Sequence, residues 1–134
     1  MKVFLGGTCS GRKWRDELIP LLKCDYYNPI VKNWNESDRI REVKERENAD
    51  LILYTITDGI KGVYSIAEVV DDSNKRPNKT IFCNLYSNGN MELTGYRKQI
   101  AHSLATTENL LLQNGVKVFH GLKFVAEYIN SLCE

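Results

Sequence analysis

Residues 58–68, Asp58-Gly-Ile-Lys-Gly-Val-Tyr-Ser-Ile-Ala-Glu68, carry the side chains of this chain best placed to do chemistry. They follow an apolar run at 50–57 that reads as a buried strand, and they open a helix. A glycine-containing turn from strand to helix leaves backbone N–H groups free and sets first-turn side chains at the mouth of a cleft. Open α/β sheets bind their ligands there, at the carboxyl ends of strands. Glu68 is therefore the candidate nucleophile, and Asp58 at the strand end is the second carboxylate. Two such acids can divide attack on an anomeric carbon and protonation of a leaving group. At 100° per residue Val63, Ile66, Ala67 and Val70 share one helical face, while Tyr64, Glu68 and Asp71 lie on the other. Glu68 is thus expected off the core, with Ser65 one turn before it. Its bland alternative is a solvated surface glutamate.

Two further clusters sit at other strand ends. Gly6-Gly7-Thr8-Cys9-Ser10-Gly11 joins the first strand to the first helix. Gly6 and Gly7 allow close approach to backbone, Thr8 and Ser10 add hydroxyls, and Arg15 lies one turn further on, an arrangement suited to an anion or a sugar hydroxyl. The loop is neither a Walker loop nor a GxGxxG, and it can equally do no more than turn the corner. Tyr26-Tyr27-Asn28-Pro29 ends the second strand. Asn28 can hydrogen-bond a base or ribose beside Pro29, or it can cap its own turn, and the turn is the favoured reading.

These clusters need a frame, and the hydrophobic pattern supplies one. Strands are predicted at 2–6, 24–28, 50–57, 80–85 and 116–119. Helices are predicted at 11–23, from Asn35 or Ser37 to about 48, at 63–74, at 95–114 and from 122, with a polar loop at 86–94. Pro20 should end the first helix early. The second helix has only Ile40 and Val43 as apolar positions among its charges, so it is either a solvated outer helix or one whose polar face lines a site or a partner. Five strands interleaved with five helices predict a single α/β domain over residues 1–134. Its sheet should be parallel, doubly wound and flavodoxin-like in the order 2-1-3-4-5, with helices on both faces.

Composition removes several classes. The chain has 134 residues and a formal charge of +1, so it has no basic stripe for nucleic acid. No run approaches the roughly 20 apolar residues of a membrane span, and the N-terminus lacks the apolar core of a signal peptide. Cys9, Cys24, Cys83 and Cys133 are scattered and read as buried or idle thiols in a cytoplasmic protein, in preference to disulfides or metal ligands. His102 and His120 form no pattern with an acid. Neither metal nor cofactor is expected.

Val3-Phe-Leu-Gly-Gly-Thr8, Tyr27-Asn-Pro29 with Trp34, Glu45-Arg-Glu-Asn-Ala-Asp50 and Gly62-Val-Tyr-Ser-Ile-Ala-Glu-Val69 follow one another in order. Together they resemble the nucleoside 2-deoxyribosyltransferase-like family over about residues 2–85. The resemblance implies a flavodoxin-like fold and cleavage of an N-glycosidic bond through a glutamate, here Glu68, which forms a glycosyl ester. A second nucleobase, or water, would resolve that ester. Ser65 and Gly62 fall in the same motif, and Gly6 and Gly7 match the first loop. Three positions depart from the family pattern. Phe4 stands where a tyrosine usually orients the nucleophile, which makes Tyr64 the substitute candidate. Gly62 stands where an aspartate is usual, leaving Asp58 as the nearest acid. Glu42 is a looser match to an aspartate of the preceding helix. The expected ligands are a small nucleoside or nucleotide and a free nucleobase, and the expected assembly is a homo-oligomer closing the site. Hydrolysis of a nucleotide or of NAD, and a nucleotide sensor without turnover, are the alternatives.

Overall fold

The computed structural model describes residues 1–87 and 93–133. The middle of the polar loop expected at 86–94 lies outside them. Strands β1 (Lys2–Gly7), β2 (Asp25–Tyr27), β3 (Leu51–Ile56), β4 (Thr80–Asn84) and β5 (Lys117–Phe119) form one parallel sheet in the order β2-β1-β3-β4-β5. The architecture is flavodoxin-like. β3 shows why the central strands read as continuous apolar runs. Leu51 and Leu53 face one core with Val3, Leu5, Trp14, Leu18, Val125 and Ile129. Ile52, Tyr54 and Ile56 face the other, with Phe4, Val69, Phe82, Leu104 and Leu111. A strand covered on both sides needs no polar face.

Helices α1 (Trp14–Leu18) and α5 (Leu122–Leu132) cover the first core. Helices α3 (Tyr64–Lys75) and α4 (Gly95–Gln113) cover the second. The first helix is shorter than its predicted range because Pro20 converts its end into a 3-10 turn over Ile19–Leu21. Helix α2 (Glu36–Asn48) starts with a capping box: the Asn35 side chain accepts from the Asp38 amide, and the Asp38 carboxylate accepts from the Asn35 amide. It buries none of its residues.

The fully buried residues of α3 are Val69, Asp72 and Ser73. Val63, Ile66, Ala67 and Val70 line an open groove against Ile100 and Leu104 of α4, and Ile66 and Val70 also pack against the second core. The periodicity found the apolar stripe but not which neighbour it meets. The cysteines are not all free thiols: Cys24 and Cys133 are disulfide-bonded with Cα atoms 5.8 Å apart. β2 is the edge strand beside α1, and α5 packs on α1, so residues 109 apart in sequence meet there. Asn130 braces the same corner, accepting from the Lys23 amide and donating to the Leu21 carbonyl. Among the described residues no helix is long and apolar enough to cross a membrane.

Candidate functional site

β1 and β3 are the neighbours at which the winding of the sheet reverses, and the cleft of such a fold opens beyond their carboxyl ends. Gly7 and Thr55 are partners in that pair. A Cβ on Gly7 would stand 2.1 Å from the Thr55 carbonyl oxygen, and its φ of +119° is one that side chains rarely adopt. Glycine here lets the β1 backbone cross against β3. The loop after β3 comes equally close, since a Cβ on Gly59 would stand 2.1 Å from the Ser10 carbonyl oxygen. Thr8 ties the two loops together, its hydroxyl accepting from the Thr57 amide at 3.1 Å.

A cavity of about 630 Å³ opens at this point. Gly6, Gly7, Cys9 and Phe4 form its floor, Pro29, Ile30, Val31 and Trp34 an apolar wall, and Arg39 and Glu42 of α2 a charged one. Tyr64, Ser65 and Glu68 of α3 close it. It adjoins a smaller hollow of about 190 Å³ lined by Thr8, Ser10, Lys61, Gly62 and the same Tyr64 and Ser65. The larger cavity is of the size that small-molecule sites occupy.

Glu68 is the best-furnished group in it. Its side chain is 16% exposed, and Oε2 accepts from Arg46 Nη1 at 3.0 Å. Burial pushes the carboxyl up to about 7, against the pull of Arg46 and with reinforcement from Glu42 and Asp72. Arg46 comes from the last turn of α2 and stands against the Tyr54 hydroxyl. Tyr54 is fully buried in β3 and donates to Asp72 Oδ2 at 2.5 Å. Asp72, one turn beyond Glu68 and fully buried, lies 3.1 Å from Arg76 Nε as an ion pair without hydrogen-bond geometry. A glutamate with these neighbours is not the solvated residue of the bland reading.

The other expected site residues divide. Gly6, Gly7, Pro29, Tyr64 and Ser65 line the cavity with Glu68, while Thr8, Ser10 and Gly62 line the adjoining hollow. Arg15 also reaches the cavity, but it is buried and its guanidinium donates to the carbonyls of Leu5, Thr8 and Gly7 at 2.9, 2.9 and 3.3 Å. It braces the glycine loop from beneath instead of offering a free phosphate reader. Trp14 does likewise through Nε1 to the Thr8 carbonyl at 2.9 Å. Asn28 lines a separate hollow, and its Oδ1 accepts from the Ile30 amide at 3.1 Å, capping its own turn.

Asp58 is not brought to Glu68. It pairs with Arg97 at 2.7 Å, accepts from the Ser87 amide, and lines another depression with Gly11, Arg12 and Leu85. The chain bends away after Thr57, which points Asp58 toward α4. The second carboxylate of the cavity is Glu42, whose Oε2 accepts from Trp34 Nε1 at 3.3 Å. Tyr64 is three-quarters exposed at the rim, and Glu68 is met by Arg46 in its place. Phe4, where the resembled family has a tyrosine, stacks on Tyr27 with centroids 5.8 Å apart. His120 does have an acid partner, Glu108, at 2.5 Å, and Glu108 also accepts from Asn84. Cys83 is buried with its thiol pushed up to about 12 by desolvation, so it is an inert core residue.

Sequence reasoning missed Arg46, Tyr54 and Asp72. One signal was readable: Arg39, Glu42 and Arg46 recur at spacings of three and four, which puts them on one face of α2. Compared with known proteins, the chain matches no family model and no curated protein.

Proposed function

We propose that this protein cleaves the N-glycosidic bond of a small deoxynucleoside or nucleotide through a Glu68 glycosyl ester, with transfer of the sugar to a second base as the favoured outcome. The supporting observation is Glu68 itself, a mostly buried carboxylate in a cavity of about 630 Å³ with one oxygen held by Arg46. In the first half-reaction a Glu68 oxygen bonds the anomeric carbon as the C–N electron pair leaves with the base, which takes up a proton. Glu42 is the acid we assign to that proton, because it shares the cavity and Asp58 does not. In the second, the incoming base or water bonds the anomeric carbon, loses a proton, and returns the ester electrons to Glu68. The apolar wall of Pro29, Ile30, Val31 and Trp34 suits a base, and the glycine loop suits the sugar. No metal or cofactor takes part in this scheme.

A chromatographic screen of deoxynucleosides, nucleotides and NAD, each with and without free adenine or cytosine, tests the reading. Acceptor-dependent product is the expected result. Nicotinamide released from NAD without an acceptor identifies a hydrolase, and binding without any product identifies a sensor.

A further inference from the structure

We propose that Arg46 is the positioning residue for Glu68: it pins one carboxylate oxygen, leaves the other to attack, and favours return of the carboxylate from the glycosyl ester. This role rests on the glycosidic reading of the site. The geometry carries it. Arg46 Nη1 takes Glu68 Oε2 at 3.0 Å, whereas Oε1 has no hydrogen bond among the described residues. A carboxylate so divided has one anchored and one reactive oxygen. Behind Arg46 stands the Tyr54 hydroxyl, whose proton is committed to Asp72, while Arg46 Nε is buried without a hydrogen bond among the described residues. Asp72 is held in turn by Arg76. The line Arg76–Asp72–Tyr54–Arg46–Glu68 joins β3, α2 and the length of α3, and only its last member faces the cavity.

The same pair biases the two half-reactions in opposite senses. When Glu68 Oε1 bonds the anomeric carbon, the base departs with the C–N electrons and a proton, and the carboxylate charge is lost to the ester. Arg46 then remains mostly buried, 12% exposed, without its anion. An unpaired buried cation is costly, so the ester is raised in energy. When water or a second base takes the sugar and releases a proton, the ester C–O electrons return to Glu68 and the ion pair reforms. Arg46 therefore shortens the life of the intermediate. The groups that face Glu68 are Arg46 and Glu42 from α2, Asp72 from α3 and Tyr54 from β3, and Arg46 is the cation among the groups that set its charge.

The experiment is a carboxyl-carbon NMR titration of glutamate-labelled protein, with Glu68 assigned by its absence in Glu68→Gln. In Arg46→Gln the Glu68 midpoint should rise by about one unit or more, because a cation in contact holds a carboxylate down. Arg46→Lys should bring the midpoint back toward wild type while turnover stays about a hundredfold low, since a point charge restores the field but not the orientation. An unmoved midpoint in folded Arg46→Gln overturns the proposal, as does full turnover in that variant. If Arg46→Gln does not fold, the pair is read from the other side. Arg46 guanidinium N–H signals protected in wild type should exchange away in Glu68→Gln, and unchanged signals overturn the proposal. Failure of the glycosidic reading is distinguishable. Wild type would then cleave nothing in the substrate screen, removing the catalytic half, while the NMR shift still reports whether Arg46 holds Glu68.

Discussion

At the scale of single residues, protonation of Glu68 decides whether it can attack. Its folded-state carboxyl is pushed up to about 7 by burial, well above the ordinary 4.5. Only the ionised form is a nucleophile, so the rising limb of kcat/KM against pH should lie at about 7. Stability runs the other way. The folded state binds this proton more tightly than the unfolded chain, so its contribution grows as pH falls from above 7 toward 4.5. The Tm difference between wild type and Glu68→Gln should therefore move in favour of wild type on going from about pH 8 to about pH 5. A difference constant with pH would mean that Glu68 titrates normally. Glu68→Gln should abolish cleavage with the fold kept, because its side chain faces a cavity and not the core. Full activity in the folded variant, or a sugar adduct trapped on another residue, would remove it from the mechanism. The two remaining acids separate on the same assay. Glu42→Gln should lower kcat by about a hundredfold or more, the usual contribution of a general acid. Asp58→Asn should leave kcat within about twofold and act instead on Tm, through the loss of a charged partner for Arg97 and the Ser87 amide. The reverse pattern would return the acid role to Asp58.

At the scale of elements, the sequence reveals more of the frame than of the site. Five strands, their parallel pairing and the turns after β1 and β3 follow from apolar runs and glycines, and the order β2-β1-β3-β4-β5 follows from fold rules. Glu68 is legible for the same reason: it lies off the apolar stripe at a strand-to-helix turn. Its partners are not. Tyr54 is hidden inside a strand that reads as apolar, Asp72 looks like one more charge on a polar helix end, and Arg46 reaches Glu68 from 22 residues away. Helical period finds a face but does not say what stands opposite: the stripe of α3 packs partly on the second core and partly lines a groove against α4. Arg15 and Asn28 show the converse, polar side chains at strand ends consumed by their own backbone. The Cys24–Cys133 link was invisible because pairing depends on α5 packing against α1. It closes a long loop, for which removal should cost about 2–4 kcal/mol through the entropy returned to the unfolded chain. Cys133→Ser should accordingly lower the urea midpoint by that equivalent, with turnover unchanged because the link borders none of the cavity. Equal stability of wild type and variant, both before and after reduction, would show that the bond contributes nothing.

At the scale of the whole molecule, the question is what covers the cavity. Helix α2 lines the cavity with Arg39 and Glu42 and reaches Glu68 with Arg46, yet it buries no apolar residue, and Ile40 and Val43 are exposed on it. Trp34 and Tyr64 at the cavity rim are also more than half exposed. A single chain thus leaves the proposed nucleophile beneath an open, partly apolar mouth, where in the proposed reaction water would compete with an acceptor base. A second copy packed α2 against α2 about a two-fold axis would cover that mouth. The helix carries five acids and four bases interspersed, a composition that two copies can pair across a two-fold axis. Light scattering at assay concentration should therefore report a dimer or a higher even assembly. Ile40→Asp should dissociate it and lower transfer more than hydrolysis, since exclusion of water is what the interface provides. The groove between α3 and α4 is the rival surface, lined by Ile66, Ala67, Val70 and Ile100. Dissociation by Ala67→Arg but not by Ile40→Asp would move the interface there. A wild-type monomer with undiminished turnover would show that one chain closes its own site, and the exposed face of α2 would then be no more than a solvated helix.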